Sequence, residues 1–500
     1  MNRLVSAITI VAGFLSLPVS DGGCLRSMLS EGNLPPCQLP GNGLPLTAFE
    51  EFMLLDDRPS HPMVIVARFD FTDGPPPPAL AGAFEAALLQ EPLLTARVTT
   101  RARRRPRWLP AETPALQFAS ADFGGNAAEA TAALVPRLDP FRGPMIHATV
   151  GTHAAGWSIV VAVHHAACDG LGLVGFVDRW LLLAAGKQGR RRRPAAETMA
   201  ALRRRGRVAG SWREFARMLP RLAKGLEGVK QFVSREVASL GVRPANEAPA
   251  AHGATWQPTI ISTTLEPELV ERLDERARAA GVMVNDLLMM ALVTTLGTHL
   301  DGNAAGRADH EWIRLATPMS LRTKADHALP AANRVSMVFL DRLPGDRLDT
   351  PRLIRSFKEQ MDLIRDHSLG HIFPLSLEAG RRLPGGLRRT TQRPKPQSTA
   401  VLSNLGRCFH RSPLIDEAGH LRIGESRLAG WWIVPPIRPG TALAAATHET
   451  MGRRTIAFHI DPDQVPLHRA QAWLDGVRSA LEPASGAVVS NPLLEQAASR

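Results

Sequence analysis

WSIVVAVHHAACDGLGLVGFVDRWLLL, residues 157–183, is the stretch whose reading decides the fold. Trp157–Val163 is a short apolar run bounded by a turn, which reads as a buried strand. Leu171–Leu183 is a glycine-bearing amphipathic run and reads as a helix. His164-His165-Ala166-Ala167-Cys168-Asp169-Gly170 must therefore make the sharp turn between them. A neutral histidine at such a strand end can take a proton from a hydroxyl or amine near neutral pH. Adjacent strand residues point to opposite faces, so His164 and His165 are not expected to serve one ligand together.

Working outward, Met63–Phe71 reads as a strand, Pro78–Gln90 as a helix, and Ile146–Val150 with Trp157–Val163 as paired strands. Residues 42–185 thus form an α/β layered unit. Residues 186–255 break the alternation. A basic run, GKQGRRRRP, leads into Ser211–Leu240, where Trp212, Phe215, Leu219, Leu222, Leu226, Val229, Val233, Val237 and Leu240 fall at helical spacing. The opposite face carries Arg213, Arg217, Arg221, Lys224, Lys230 and Arg235. One long helix is expected, either packed between domains or lying on an anionic membrane surface as a peripheral contact. A second α/β unit spans 256–485. It has a strand at TIISTTL, helices at Pro267–Ala280 and Val284–Leu300, and strands at Arg314–Pro318, Arg334–Leu340, Thr399–Ser403, Ala442–Thr447 and Thr455–Ile460. Residues 486–500 read as a tail.

The chain's 500 residues are 44% hydrophobic and 21% charged, which is enough for more than one packed core. The net charge of +12 favours polyanionic partners. Arginines cluster at Arg101, Arg103, Arg104, Arg105 and Arg107, and again at Arg190–Arg193, Arg203–Arg205 and Arg207, where solvated faces are expected. No nucleic-acid-binding motif accompanies them, so nucleic acid is not an expected partner. Four cysteines without a CxxC pair support neither a zinc ribbon nor a disulfide framework, and Cys168 reads as a small buried thiol. No HExxH or spaced His/carboxylate set points to a metal, and no GxGxxG or P-loop follows a strand. LVSAITIVAGFLSLPV after Arg3 has the form of an export signal. The alternative, an N-terminal extension (1–41) on a cytoplasmic or membrane-peripheral protein, is preferred. With export, a Cys24–Cys37 disulfide would follow.

HHxxxDG after a strand resembles the signature of the coenzyme-A-dependent acyltransferase superfamily, which includes chloramphenicol acetyltransferase, condensation domains and bacterial wax-ester synthase/diacylglycerol acyltransferases. Further segments resemble the last group in the same order: Pro45–Asp57, Leu138–Val150, Val284–Leu296, Arg314–Arg322, Ala331–Pro344 and Val401–Gly406. The resemblance implies two similar chloramphenicol-acetyltransferase-like α/β domains with the active-site tunnel between them. It implies fatty-acyl transfer from acyl-CoA, a substrate rather than a cofactor, to an alcohol or diacylglycerol acceptor. The alternatives are a condensation-type enzyme drawing on an acyl carrier protein thioester, and a non-catalytic lipid-binding relative.

The resemblance also assigns roles. His165 is the general base and His164 fixes the strand end. Asp169 makes a structural ion pair with an arginine, for which Arg68 and Arg97 are candidates. Gly170 leaves room where the tunnel narrows and lets the chain turn into the helix. Ser403 and Asn404 in SNLG are candidates to bind the substrate oxyanion. Asn285 and Asp286 match an ND motif, with helix capping as the other reading. Asp122–Gly125 (DFGG) resembles a plant-branch segment but stands in the wrong place.

Overall fold

The computed structural model describes residues 37–100, 105–119, 131–187, 194–208, 212–241, 256–302, 311–392 and 396–482. The export-like segment, Cys24, the DFGG stretch, Arg101–Arg104, Arg190–Arg193 and the tail lie outside them.

In chain order the first half contains β1 (Leu44–Pro45), α1 (Ala48–Asp56), β2 (Val64–Thr72), α2 (Leu80–Leu88), β3 (Ala96–Thr99), β4 (Arg107–Pro110) and β5 (Gln117–Ala119). It continues with β6 (Ile146–His153), β7 (Gly156–His164), α3 (Gly170–Ala184) and α4 (Ala195–Arg204). Two further helices, α5 (Trp212–Ala223) and α6 (Leu226–Ser234), lead to β8 (Thr259–Leu265), α7 (Pro267–Ala279), α8 (Val284–Gly302), β9 (Ile313–Ser320) and β10 (Val335–Arg342). Then come α9 (Thr350–Asp366), α10 (Ile372–Arg382), α11 (Gly386–Thr391), β11 (Ala400–Arg407), β12 (Arg422–Ile423), β13 (Ser426–Val434), β14 (Leu443–Thr450), β15 (Arg453–Ile460) and α12 (Leu467–Leu481).

Two six-stranded mixed sheets form two similar α/β lobes, ordered β12-β13-β2-β7-β6-β5 and β10-β9-β11-β14-β15-β8, and a small β1-β4-β3 sheet adjoins the first. Every strand and helix expected in the first half and after residue 256 is present, with ends shifted by a few residues. In the first lobe Phe71 and Trp157 are cross-strand partners and stack at 4.2 Å. Such aromatic pairs add about 0.5–1.5 kcal/mol beyond the area they bury. α8 is largely buried, as its unbroken apolar run requires. No single helix among the described residues is long and apolar enough to cross a membrane.

Three expectations need correcting. The 256–485 segment is not one unit: β12 and β13 leave it and complete the first sheet along β2, where Trp431 stacks on its register partner Phe69 at 5.0 Å. Ser211–Leu240 is not one long helix. It breaks at Lys224–Gly225, just after Pro220, and the chain beyond Ser234 is extended, with Val237 bridging to Trp312. Its apolar positions Phe215, Leu219, Leu222 and Val229 are half-buried, and Gly225 lies against Leu369 and Ile372, so these positions pack on the body, while Val233 is exposed. Finally, Arg205 is not on a solvated face. It is buried and grips Glu50 through two 2.6 Å bonds, while its neighbours Arg203, Arg204 and Arg207 are exposed.

Candidate active site

β7 ends at His164, and the turn to α3 is held from several sides. The His164 Nδ1 accepts the Ala166 N–H at 3.1 Å, which leaves the proton on Nε2, 3.6 Å from Asp57 Oδ1. Asp57 follows α1 and also accepts Met63 N–H at 2.9 Å; the nearby His164 N–H and this bond help to hold its carboxyl below the usual range despite burial. His164 is wholly buried and acts as a strand-end fastener.

His165 is the half-exposed residue of the pair. Its backbone N–H donates to Met63 O at 2.7 Å, and its Nδ1 lies 3.1 Å from Cys168 O. A carbonyl can only accept, so Nδ1 carries the proton and Nε2 is the basic lone pair. Burial pushes the imidazole below its ordinary value, against the pull of its backbone hydrogen bonds and the Asp169 charge, so it is neutral at pH 7. Phe49 meets the ring edge-on at 5.8 Å. Cys168 is fully buried and burial raises its thiol, which suits packing and not nucleophilic attack.

Asp169 pairs with neither Arg68 nor Arg97. Its partner is Arg322, at the end of β9 in the other lobe, through bonds of 2.8 and 2.9 Å. Its oxygens also accept Gly172 N–H and Arg334 N–H, both at 2.9 Å, so it caps α3 and ties the lobes together. Arg68 is instead engaged with Asp70 and Ser158 of its own sheet and with Thr131 from the helical turn before β6. With all four bonds turned elsewhere, Asp169 is not the hydrogen-bond partner of the imidazole.

Gly170 corrects a second expectation. A Cβ there would stand 3.2 Å from Leu405 of β11 and 3.7 Å from Ile433 of β13, so the missing side chain makes room for packing rather than for an open channel. Leu405 nonetheless brings the SNLG segment against the HHxxxDG turn. Ser403 is half-buried two residues earlier on β11. Asn404 donates from Nδ2 to Asn285 Oδ1 at 3.1 Å and accepts Gly406 N–H at 2.9 Å. Asp286 reaches back to Met283 N–H at 2.9 Å, the capping role; burial raises its carboxyl. Among the described residues no hydrogen bond joins Ser403, Asn404, Asn285 or Asp286 to the turn.

Asn333 lies in the family-like segment Ala331–Pro344, but no role was assigned to it from the sequence. It is buried, and its Nδ2 lies 2.8 Å from both His165 O and Ala166 O, pinning the turn from the second lobe. The available signal was a polar residue following Ala331-Ala332 in a loop between two strands. Asn333 and Phe49 also line a cavity of about 590 Å³ that does not include His165 itself. Its lining holds Arg107, Arg203, Arg205, Arg207, Arg334 and Arg381 against the single carboxylate Glu378; Arg205, Arg334 and Arg381 are ion-paired, which leaves Arg107, Arg203 and Arg207 as the net positive charge of the wall. Among the described residues no group of His, Cys, Asp and Glu could hold a metal ion.

No family model matches the chain, and no curated protein matches it. Solved structures match its fold. The first condensation domain of the calcium-dependent antibiotic synthetase, in complex with a substrate analogue, is 17% identical with a TM-score of 0.61, over 88% of this chain and 95% of that one. The epimerization domain from the third module of tyrocidine synthetase B is 16% identical with a TM-score of 0.57, over 90% and 97%. Polyketide synthase associated protein 5 from Mycobacterium tuberculosis is 14% identical with a TM-score of 0.59, over 88% and 97%. The chain therefore has the two-lobed condensation-domain fold, which is the chloramphenicol-acetyltransferase-like architecture.

Proposed function

We propose that the chain is a condensation-type acyltransferase that takes its acyl group from a phosphopantetheine thioester. His165 Nε2 removes the proton of an acceptor hydroxyl or amine as that atom attacks the thioester carbon. The new acyl–oxygen or acyl–nitrogen bond forms, the carbon–sulfur bond breaks, and the proton passes from Nε2 to the departing thiolate. One histidine serves both steps, with no acyl-enzyme.

The observation that carries this reading is the tautomer lock: Nδ1 faces Cys168 O while burial keeps the ring neutral, so a basic nitrogen is held on a half-buried side chain in an otherwise buried turn. The condensation-domain likeness supports a carrier-borne donor, and the cationic cavity beside Phe49 suits the phosphate of either a carrier arm or coenzyme A. Long-chain alcohol or diacylglycerol as acceptor rests on the resemblance of segments such as Val284–Leu296 and Val401–Gly406. The test measures thiol release from decanoyl-CoA and from a decanoyl-loaded carrier protein with hexadecanol, diacylglycerol or small amines. His165→Ala should lower turnover by about 10²-fold or more while the circular dichroism spectrum stays unchanged. A folded His165→Ala protein with full activity would refute the reading.

A further inference from the structure

The positive charge around the cavity does not stop at its rim. On α5, Arg213, Arg217 and Arg221 recur every four residues and Lys224 follows three later; all four are exposed. At helical rise this row is about 16 Å long. Arg217 and Arg221 have no carboxylate within ion-pair distance among the described residues. The row begins beside the cavity. Val208 lines the cavity and α5 starts at Trp212, four residues further along the chain; α5 also packs on the turn Leu369–His371, which leads into the cavity-lining Pro374, Leu375 and Glu378 of α10. Arg203 and Arg207, which line the cavity, are also exposed.

We propose that the outward face of α5 is the landing surface for an acidic carrier protein, which docks there so that its thioester-bearing arm enters the cavity toward Phe49 and His165. The inference rests on the acyl-transfer reading above and adds where the protein part of the donor binds. Two observations favour a protein over a membrane or a free nucleotide thioester. A lipid-binding helix buries its apolar face in the bilayer, but here Phe215, Met218, Leu219 and Leu222 are half-buried against the body while Arg213, Arg217 and Arg221 are exposed. Free coenzyme A would be served by the arginines of the cavity wall, leaving Arg217 and Arg221, one and two turns beyond Arg213, without a role. A row of this length matches a complementary acidic helix and steers its approach.

The test compares wild type with Arg217→Glu/Arg221→Glu, two exposed positions outside the catalytic turn. The probes are an acidic acyl carrier protein loaded with a decanoyl group, decanoyl-pantetheine, and phosphatidylglycerol/phosphatidylcholine vesicles. Carrier binding, followed by fluorescence anisotropy against salt, should weaken about tenfold, and KM for the carrier-borne donor should rise by a similar factor. Turnover of decanoyl-pantetheine and the thermal transition should not change. The proposal is overturned if wild type does not bind the carrier, if the two donors respond alike, or if charge reversal releases the protein from vesicles while carrier binding persists. Should wild type turn over neither thioester, the acyl-transfer reading fails, and the salt-dependent anisotropy alone decides the docking surface.

Discussion

Asp169→Asn gives the sharpest test of how the catalytic turn is built. The carboxylate is 4% exposed and takes four hydrogen bonds, two of them from Arg322, whose side chain is 24% exposed. An amide keeps the oxygen facing Gly172 and Arg322 Nη2. It turns an NH2 toward Arg322 Nη1 and Arg334 N–H, so donors face donors. Breaking one side of a buried ion pair costs about 3–5 kcal/mol. Partial exposure of Arg322 moves the expectation to about 2–4 kcal/mol. Urea unfolding should show that loss at an unchanged slope, and thiol release should fall with it as the turn loosens. Replacing Arg322 by Met in the Asp169→Asn background should recover part of the stability, because the stranded cation is gone. Unfolding of the single variant within about 0.5 kcal/mol of wild type would refute the bridge between the lobes.

Other outcomes follow from the same geometry. Because burial depresses the His165 pKa, the neutral base is present above the ordinary histidine range and is lost as pH falls through the lowered value. A plot of kcat/KM against pH should therefore be flat near neutrality with its acid limb below 6.5, and an inflection above that value contradicts the site. Asn333→Ala, which removes two donors from the turn, should lower kcat about tenfold and stability by about 2 kcal/mol. Asn333→Asp should be worse, since it aims a carboxylate at two carbonyls; equal activity of the Asp variant and wild type in the thiol-release assay would reverse the assigned orientation. Gly170→Ala should change the unfolding free energy in urea by less than about 1 kcal/mol, because the new Cβ's one tight contact is the flexible tip of Leu405 and the less flexible unfolded chain offsets the crowding.

The parts of the molecule that were legible in the sequence are those where periodicity or a rigid motif speaks locally. The strand at Trp157–Val163, the turn at His164–Gly170, and the buried helix from Val284 could be placed because their apolar patterns are unbroken. The separation of the two histidines, with His164 buried at the strand end, was legible from strand alternation, whereas the base role of His165 comes from the resemblance alone. What could not be read were long-range partners. Asp169 finds Arg322, 153 residues away; Arg322 closes the family-like segment Arg314–Arg322, but nothing in that segment's local pattern names Asp169 as its partner. β13, SRLAGWWIV, has the composition of a strand but no sign of which sheet it joins. The break in the helical stripe after Ser211 was signalled by Pro220 and Gly225, yet the continuing apolar spacing to Leu240 masked it.

The placement of β13 has a consequence for biosynthesis. Asp73 and Arg427, which pair where β2 meets β13, are 354 residues apart in the chain. When the amino-terminal half leaves the ribosome, β2 offers bare amides and carbonyls along one side until the late strand arrives. An isolated fragment ending before residue 422 would carry that same unsatisfied border for good and would be prone to self-association. The lobe that holds the histidine turn is thus finished only once β13 has been made.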